Sequence, residues 1–197
     1  DAAFELRTNL VEPDARRQWV EQYLTGKWVA GVEVENDVGF DGNMPQGAAK
    51  LLYQAQSRNI ARREGAELVV PLGETVTFAS QLAPLPQRKL PVVLPAYLAP
   101  RRDMRTLTIV APTGYEFAEL PPGGVENGGE FGKAILEITP GDAGSVLVKR
   151  TVIFDLSTIS VDKYPKWRNW LQRDDALMHR TVRLLPEKTT TTAKPNP

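Results

Sequence analysis

Short segments of alternating apolar and polar residues, separated by turn residues, dominate the second half of the chain. Residues 105–110 and 115–117 alternate on either side of a Pro-Thr-Gly sequence that favours a type II turn. Residues 133–139 and 145–156 alternate in the same way around a loop that contains proline and glycine. Alternation with a period of two is typical of half-buried strands, so we expect two strands at a tight corner, followed by an antiparallel hairpin.

Two segments show the helical period instead. In residues 14–25 the apolar positions fall on one face, and a glycine is placed to end the helix. Residues 163–178 form a second amphipathic pattern, for which Ser160 is the expected cap. The apolar stripe of this closing helix must cover other apolar surface. It consists of Tyr164, Trp167, Leu171 and Met178, with Trp170 and Leu177 beside it.

Three other stretches are less regular. Residues 28–38 alternate and predict a strand. Residues 48–63 suit a helix or a strand, and we assign residues 50–57 to a strand because the neighbouring segments are strands, although propensity alone favours a helix. Residues 82–100 are rich in proline, which excludes a helix and most ladder pairing. This proline-rich segment should wrap the surface of a sheet.

These elements predict a mainly β fold, since short strands with turn signals outnumber the helices. We expect an antiparallel, immunoglobulin-like β-sandwich with an N-terminal helix and a C-terminal amphipathic helix. One domain should span residues 1–186, with the closing helix at about 163–178. Residues 187–197 lack large apolar side chains, so they should form a flexible tail.

Composition narrows the possible functions. The 24 basic and 24 acidic residues give a net charge of zero, so no global field would attract nucleic acid or an anionic membrane. The chain has no Cys, which excludes disulfides, thiolate metal sites and a thiol nucleophile. No apolar run reaches the roughly 18 residues that a membrane-spanning helix needs. The chain begins at Asp1 without an initiator Met, so we interpret it as a processed or excised piece.

Two motifs carry a family resemblance. Residues 110–121 are similar to a P-x-G-Y-x-x-x-x-L-P corner, and residues 159–171 resemble a V-S-x-x-x-Y-P-x-F-R-x-F-L signature in which Trp167 and Trp170 replace Phe. Both resemble motifs of bacterial transglutaminase-like proteins that carry an uncharacterised N-terminal β domain, a papain-like central domain and a C-terminal β domain. The resemblance covers residues 50–185 and also implies a strand at residues 50–57.

The resemblance implies that this piece is the C-terminal β domain. The catalytic Cys, His and Asp would then lie upstream of Asp1, and the protein would belong to the periplasm or cell envelope. We expect a non-catalytic accessory domain that packs against the catalytic domain or presents substrate to it. Its partner would be a protein, with no cofactor, no nucleic acid and no direct membrane insertion. The alternative is an independent peptide- or glycan-binding module, with strand addition at a sheet edge as its mode of binding.

Few residues suggest a site in this chain. The possible partner contacts are Arg101, Arg102 and Arg105, which form a local basic patch, together with Pro91 and Pro95 of the proline-rich segment. A weak calcium pattern at Asp37, Asp41 and Asn43 is better interpreted as a turn, because its spacing does not match a calcium loop.

Three features of the closing helix have both a functional and a structural interpretation. Asp174 and Asp175 are adjacent acids, but neighbouring helical residues diverge by about 100°, so we interpret them as a solvated face rather than a catalytic pair. His179, the only histidine, should be structural or exposed at the helix end. Trp167 and Trp170 at helical spacing indicate a core rather than a sugar-stacking platform.

Overall fold

The computed structural model describes residues 12–27, 31–36, 38–41, 50–57, 59–73, 77–95, 101–142 and 144–187. Within these residues the fold is mainly antiparallel β, with three α-helices. The helices are α1 (Pro13–Lys27), α2 (Phe78–Leu82) and α3 (Tyr164–Met178). The strands are β1 (Glu33–Val34), β2 (Gly39–Asp41), β3 (Lys50–Leu52), β4 (Ala55–Gln56), β5 (Arg62–Glu64), β6 (Glu67–Pro71), β7 (Val92–Val93), β8 (Arg101–Val110), β9 (Tyr115–Phe117), β10 (Gly124–Asn127), β11 (Gly132–Pro140), β12 (Ser145–Phe154), β13 (Thr158–Ile159) and β14 (Thr181–Pro186).

The first four-stranded sheet has the order β10-β11-β12-β8. The predicted hairpin is confirmed: β11 and β12 pair antiparallel from Gly132 opposite Phe154 to Pro140 opposite Val146. β8 pairs along the other side of β12. Successive side chains along a strand point to opposite faces of the sheet. One face of this sheet is therefore apolar and faces the core, and the other faces away from it. The buried inner positions include Ile109, Ala134, Leu136, Val146, Val148 and Val152.

The second four-stranded sheet has the order β5-β6-β14-β9. The predicted corner connects the two sheets, since β8 belongs to the first and β9 to the second. Its geometry is that of a type II turn: the Tyr115 N–H donates to the Pro112 carbonyl at 3.0 Å, and Gly114 has φ +83°. Three two-stranded pairs, β13 with β7, β2 with β3, and β1 with β4, complete the described strands.

Both four-stranded sheets and α3 contribute side chains to one hydrophobic core. All four residues of the predicted stripe of α3 are buried: Tyr164, Trp167, Leu171 and Met178. Trp170 is buried beside them and meets Phe154 of β12 edge-on, with ring centroids 5.7 Å apart. Full burial of a large aromatic side chain contributes several kcal/mol to the stability of the fold, so α3 is a structural part of this core.

The N-terminal elements have a smaller core of their own, formed by Val20, Leu24, Val34 and Val38. The predicted N-terminal helix is confirmed as α1, which holds β1 through a hydrogen bond from the Val34 N–H to the Glu21 carboxylate at 3.0 Å. The predicted strand at 28–38 is much shorter than expected, because only β1 is extended and paired in its described part, and residues 28–30 and 37 lie outside the described residues. The strand assignment for residues 50–57 is confirmed only in part, because the segment forms two short strands, β3 paired with β2 and β4 paired with β1, and residues 53, 54 and 57 belong to neither.

The sequence patterns missed several elements and misplaced one cap. No prediction was made for α2, β5, β10 or β14, although β14 alternates with Val182 and Leu184 buried. The helix cap is Lys163 rather than Ser160, and Ser160 instead accepts the main-chain N–H groups of Lys163 and Tyr164 with its carbonyl. Residues 188–197 of the predicted tail lie outside the described residues.

Candidate functional site

The proline-rich segment lies along the surface with its side chains divided between core and solvent. Val92 and Leu94 are buried in the main core, while Leu85, Leu90 and Val93 are 53%, 71% and 73% exposed. This division follows from β7, which pairs with β13 and therefore turns alternate side chains inward and outward. The segment thus displays several large apolar side chains on one short stretch of chain.

The N-terminal part of α3 holds the backbone of the proline-rich segment through hydrogen bonds. The Tyr164 hydroxyl donates to the Leu85 carbonyl at 2.6 Å, and Arg168 Nε donates to the Ala83 carbonyl at 3.1 Å. Arg88 lies with its guanidinium carbon 6.0 Å from the centre of the Tyr164 ring, within range of a cation–π interaction. These contacts hold the backbone of the segment in place while its apolar side chains remain exposed.

The predicted partner contacts fall on different surfaces. Pro91 and Pro95 are exposed on the proline-rich segment. Arg102 is exposed on the outer face of the first sheet, whereas Arg105 is half-buried on its inner face and forms an ion pair with Asp103 at 3.2 Å. The side chain of Arg101 lies outside the described side chains. Because three residues along a strand reverse the face, Arg102 and Arg105 do not form one basic patch.

A group of charged residues lies at one end of the inner face of the first sheet. Arg105 of β8 also donates to the Tyr23 hydroxyl of α1 at 3.0 Å, which connects the N-terminal helix to the first sheet. Arg150 of β12 lies beside it in the sheet and donates from Nε to the Met178 sulfur at 3.4 Å. A cavity of about 10 Å³, the size of one water molecule, lies here. It is lined by Phe78, Asp103, Arg105, Arg150 and Val152.

The interpretation of Asp174 and Asp175 as a solvated face is wrong, because both side chains are buried. Asp175 points toward α2, where its two oxygens accept the main-chain N–H groups of Phe78 and Ala79 at 2.8 and 2.9 Å. Asp174 lies about 100° further around α3, within electrostatic range of Arg150 and Glu126, and neither of its oxygens has a hydrogen-bond partner among the described residues. A sequence signal for this burial existed: Asp174 follows Leu171 by three residues and therefore falls on the apolar stripe.

Burial raises the pKa of the Asp174 carboxyl to about 7. The charge of Asp175 and, more weakly, that of Glu126 act in the same direction, while the positive charge of Arg150 lowers the pKa. The desolvated carboxylate is thus disfavoured even with a cation nearby, because a buried charge without hydrogen bonds is costly. Asp174 is a core carboxyl that takes up a proton near neutral pH.

A shallow groove lies between α2 and α3, next to the start of the proline-rich segment. Its volume is about 470 Å³, and small side chains such as Ala79 and Ala83 line its base. Arg168, Gln172 and Asp175, at successive turns of α3, line one wall, and Thr77 and Ser80 line the other. Pro84 lines the end at which the groove meets exposed Leu85. Sequence patterns did not indicate this groove, because α2 was not predicted.

His179 ends α3. Its Nδ1 lies 2.7 Å from the Asp175 carbonyl oxygen, and since a carbonyl only accepts, Nδ1 carries the proton. The ring packs against Gly73, where an added Cβ would come within 2.9 Å of it. These contacts give His179 a structural role at the helix end.

The described residues contain no group of three or more His, Asp or Glu that could hold a metal ion, and Asp37 and Asn43 of the weak calcium pattern lie outside them. In the same part of the chain, no helix combines the length and apolar character needed to cross a bilayer. Comparisons of the sequence and structure with protein-family models, curated proteins and solved structures find no match. Function is therefore inferred from the residues and geometry of this chain.

Proposed function

We propose that this chain is a non-catalytic interaction domain that binds another protein through the exposed side of its proline-rich segment. One observation carries the proposal: Leu85, Leu90 and Val93 are largely exposed on a stretch of nine residues whose backbone is fixed by α3 and β13. Exposed apolar side chains grouped in this way are typical of protein interaction sites, whereas single exposed apolar residues are common on any surface.

The anchoring of the segment favours binding. Proline restricts the backbone before any partner arrives, and the Tyr164, Arg168 and β13 contacts restrict it further. The partner would therefore not have to order a flexible loop, and the entropy cost of association would be small. Of the residues predicted as partner contacts, Pro91 and Pro95 belong to this surface, since both are exposed.

The motif resemblance supplies a context for the proposal. We place the chain as an accessory domain of a transglutaminase-like protein of the periplasm or cell envelope, which packs against a catalytic domain or presents substrate to it. The proposal includes an immunoglobulin-like sandwich as the architecture of the domain. The two antiparallel sheets that share one core are compatible with that architecture. Both motifs lie at structural junctions, one at the corner between the sheets and the other at the start of α3. Packing restricts which residues fit at such junctions, so motifs at these positions are consistent with a structural rather than a catalytic domain.

The test compares two double variants in a pull-down from an envelope extract. Leu90→Ser with Val93→Ser removes the apolar side chains of the segment. Met104→Ser with Val110→Ser is the matched control, because these residues are each 65% exposed on the outer face of the first sheet. We expect a protein that binds the wild type and the control to be lost from the first variant, and the same pattern when that protein is purified and mixed with each form. Equal binding to all three forms would refute the proposal.

A further inference from the structure

The groove between α2 and α3 contains a cation whose hydrogen-bonding capacity is only partly used. Arg168 is half-buried, and its Nε donates to the Ala83 carbonyl at 3.1 Å, which fixes the plane of the guanidinium group. Within the described part of the chain, its two terminal nitrogens have no hydrogen-bond partner and it forms no ion pair. A guanidinium anchored at Nε retains the two parallel donors that bind a carboxylate in a bidentate manner.

The acid in the groove does not neutralise this cation by direct contact. Asp175 uses both oxygens to accept the main-chain N–H groups of Phe78 and Ala79. The hydroxyls of Thr77 and Ser80 bond to each other and to the backbone of the first turn of α2. The carboxylate and the hydroxyl groups that line the groove are thus already engaged, while the terminal donors of Arg168 are not.

Gln172 adds a second group that suits a peptide. It lies one turn after Arg168 on the same wall, and its carboxamide has no partner within the described residues. A carboxamide donates and accepts at once, so it can bond both polar groups of one peptide unit. The small side chains Ala79 and Ala83 leave room at the base for an extended chain.

We propose that this groove binds an extended acidic segment of the partner protein. A Glu or Asp side chain of that segment would bind the terminal nitrogens of Arg168, and its backbone would bond to Gln172. A neighbouring apolar residue would contact Pro84 and exposed Leu85 at the end of the groove. The inference rests on the proposed interaction function and adds the chemistry of the partner.

The experiment uses two peptides, acetyl-Gly-Leu-Glu-Leu-Gly-amide and the same peptide with Gln in place of Glu. Each is titrated into the ¹⁵N-labelled chain, and the Arg Nε–H and Gln side-chain signals are followed by NMR. We expect the Glu peptide to shift the signals of Arg168 and Gln172. Its Kd should be lower than that of the Gln peptide by about tenfold or more, as for a charge-assisted bidentate contact.

Two variants and a control locate the contact. Arg168→Gln and Gln172→Ala should each weaken binding of the Glu peptide, and Gln172→Ala does so without disturbing the bond to Ala83. Arg173→Gln is the control, since Arg173 is also on α3 but pairs with Glu126 at 3.0 Å. Melting curves verify that each variant is folded.

Several outcomes would overturn the inference: no binding at millimolar peptide, equal affinity for the two peptides, or equal loss in the control. If the Leu90 and Val93 variant loses its partner while Arg168→Gln retains it, the proposed function stands and the acidic-segment inference fails. If the Leu90 and Val93 variant and Arg168→Gln each lose the partner, and the Glu peptide binds as expected, the interaction function and the acidic-segment inference are both supported.

Discussion

Asp174→Asn should stabilise the folded chain at neutral and alkaline pH and have much less effect in acid. Asp174 is 0% exposed, and its two oxygens have no hydrogen-bond partner among the described residues. Burial, and secondarily the charge of Asp175, raises the pKa of the carboxyl to about 7, while Arg150 lowers it. The substitution keeps the shape of the side chain and removes its ability to ionise.

The magnitude follows from the difference in pKa between the folded and unfolded chains. The folded-state pKa of about 7 lies above the ordinary value of 3.8. Each unit of pKa is worth about 1.4 kcal/mol, so the full difference is about 4 kcal/mol. Below the ordinary pKa, Asp174 is protonated in both states and carries no penalty. As the pH rises toward 7, the unfolded chain releases the proton and the folded chain does not, so the wild type progressively loses stability relative to the variant.

The assay is urea unfolding of both proteins between pH 4 and pH 8, followed by tryptophan fluorescence. The quantity of interest is the difference in the free energy of unfolding between variant and wild type, because this difference cancels the titration of the other carboxyls. We expect it to increase by up to about 4 kcal/mol in favour of Asn over this range. The unpaired Asn amide adds a free-energy cost that does not change with pH. The test is therefore the change of the free-energy difference with pH, and not its absolute value at any one pH.

Asp162→Asn is the matched control. A hydrogen bond from Ser160 lowers the pKa of exposed Asp162, so its carboxylate stabilises the fold above its ordinary pKa and that stability is lost in acid. Because the ordinary pKa is 3.8 and the folded-state pKa is lower still, this variant should show an almost flat difference between pH 4 and pH 8. A pH-independent difference between Asp174→Asn and the wild type, or an Asp174 carboxyl that titrates near pH 4 by ¹³C NMR, would refute the reasoning.

The remaining predictions concern packing. Trp167→Ala removes a fully buried indole and should cost about 3 to 5 kcal/mol, measured as a lower urea midpoint; an unchanged melting curve would mean that α3 is not part of the core. Gly132→Ala should prevent folding or cost more than about 3 kcal/mol, because Gly132 has φ +134° and a Cβ would overlap the Ile153 carbonyl oxygen. Gly129→Ala, at φ +63° with open space around it, should cost only about 1 kcal/mol, and equal losses for the two would contradict the clash.

Local pattern alone predicted the elements whose information lies within a few neighbouring residues. The β11–β12 hairpin follows from two alternating runs joined by a short loop, and the turn at Gly114 from residues that favour its positive φ. The closing helix follows from an apolar stripe at helical spacing. The extended backbone of the proline-rich segment also has a local origin, because proline restricts φ, whereas the exposure of its side chains depends on the pairing of β7 with β13.

Tertiary structure decided the features that depend on contacts between distant residues. α2 has only five residues, and its first N–H groups are satisfied by Asp175, which lies 97 residues after Phe78. The groove beside it exists for the same reason. No local pattern contains that pairing, since a helix this short is marginal without an external partner.

The same limit explains the errors about charge. Arg102 and Arg105 are close in sequence, yet the pleat of β8 places them on opposite faces. Asp174 and Asp175 diverge around α3 as expected, but α2 covers one and the first sheet covers the other. The sequence by itself determined the direction in which each side chain points from its own helix or strand. Only the packing of other elements determined whether that side chain is exposed to solvent or buried, because burial depends on surfaces contributed by distant parts of the chain.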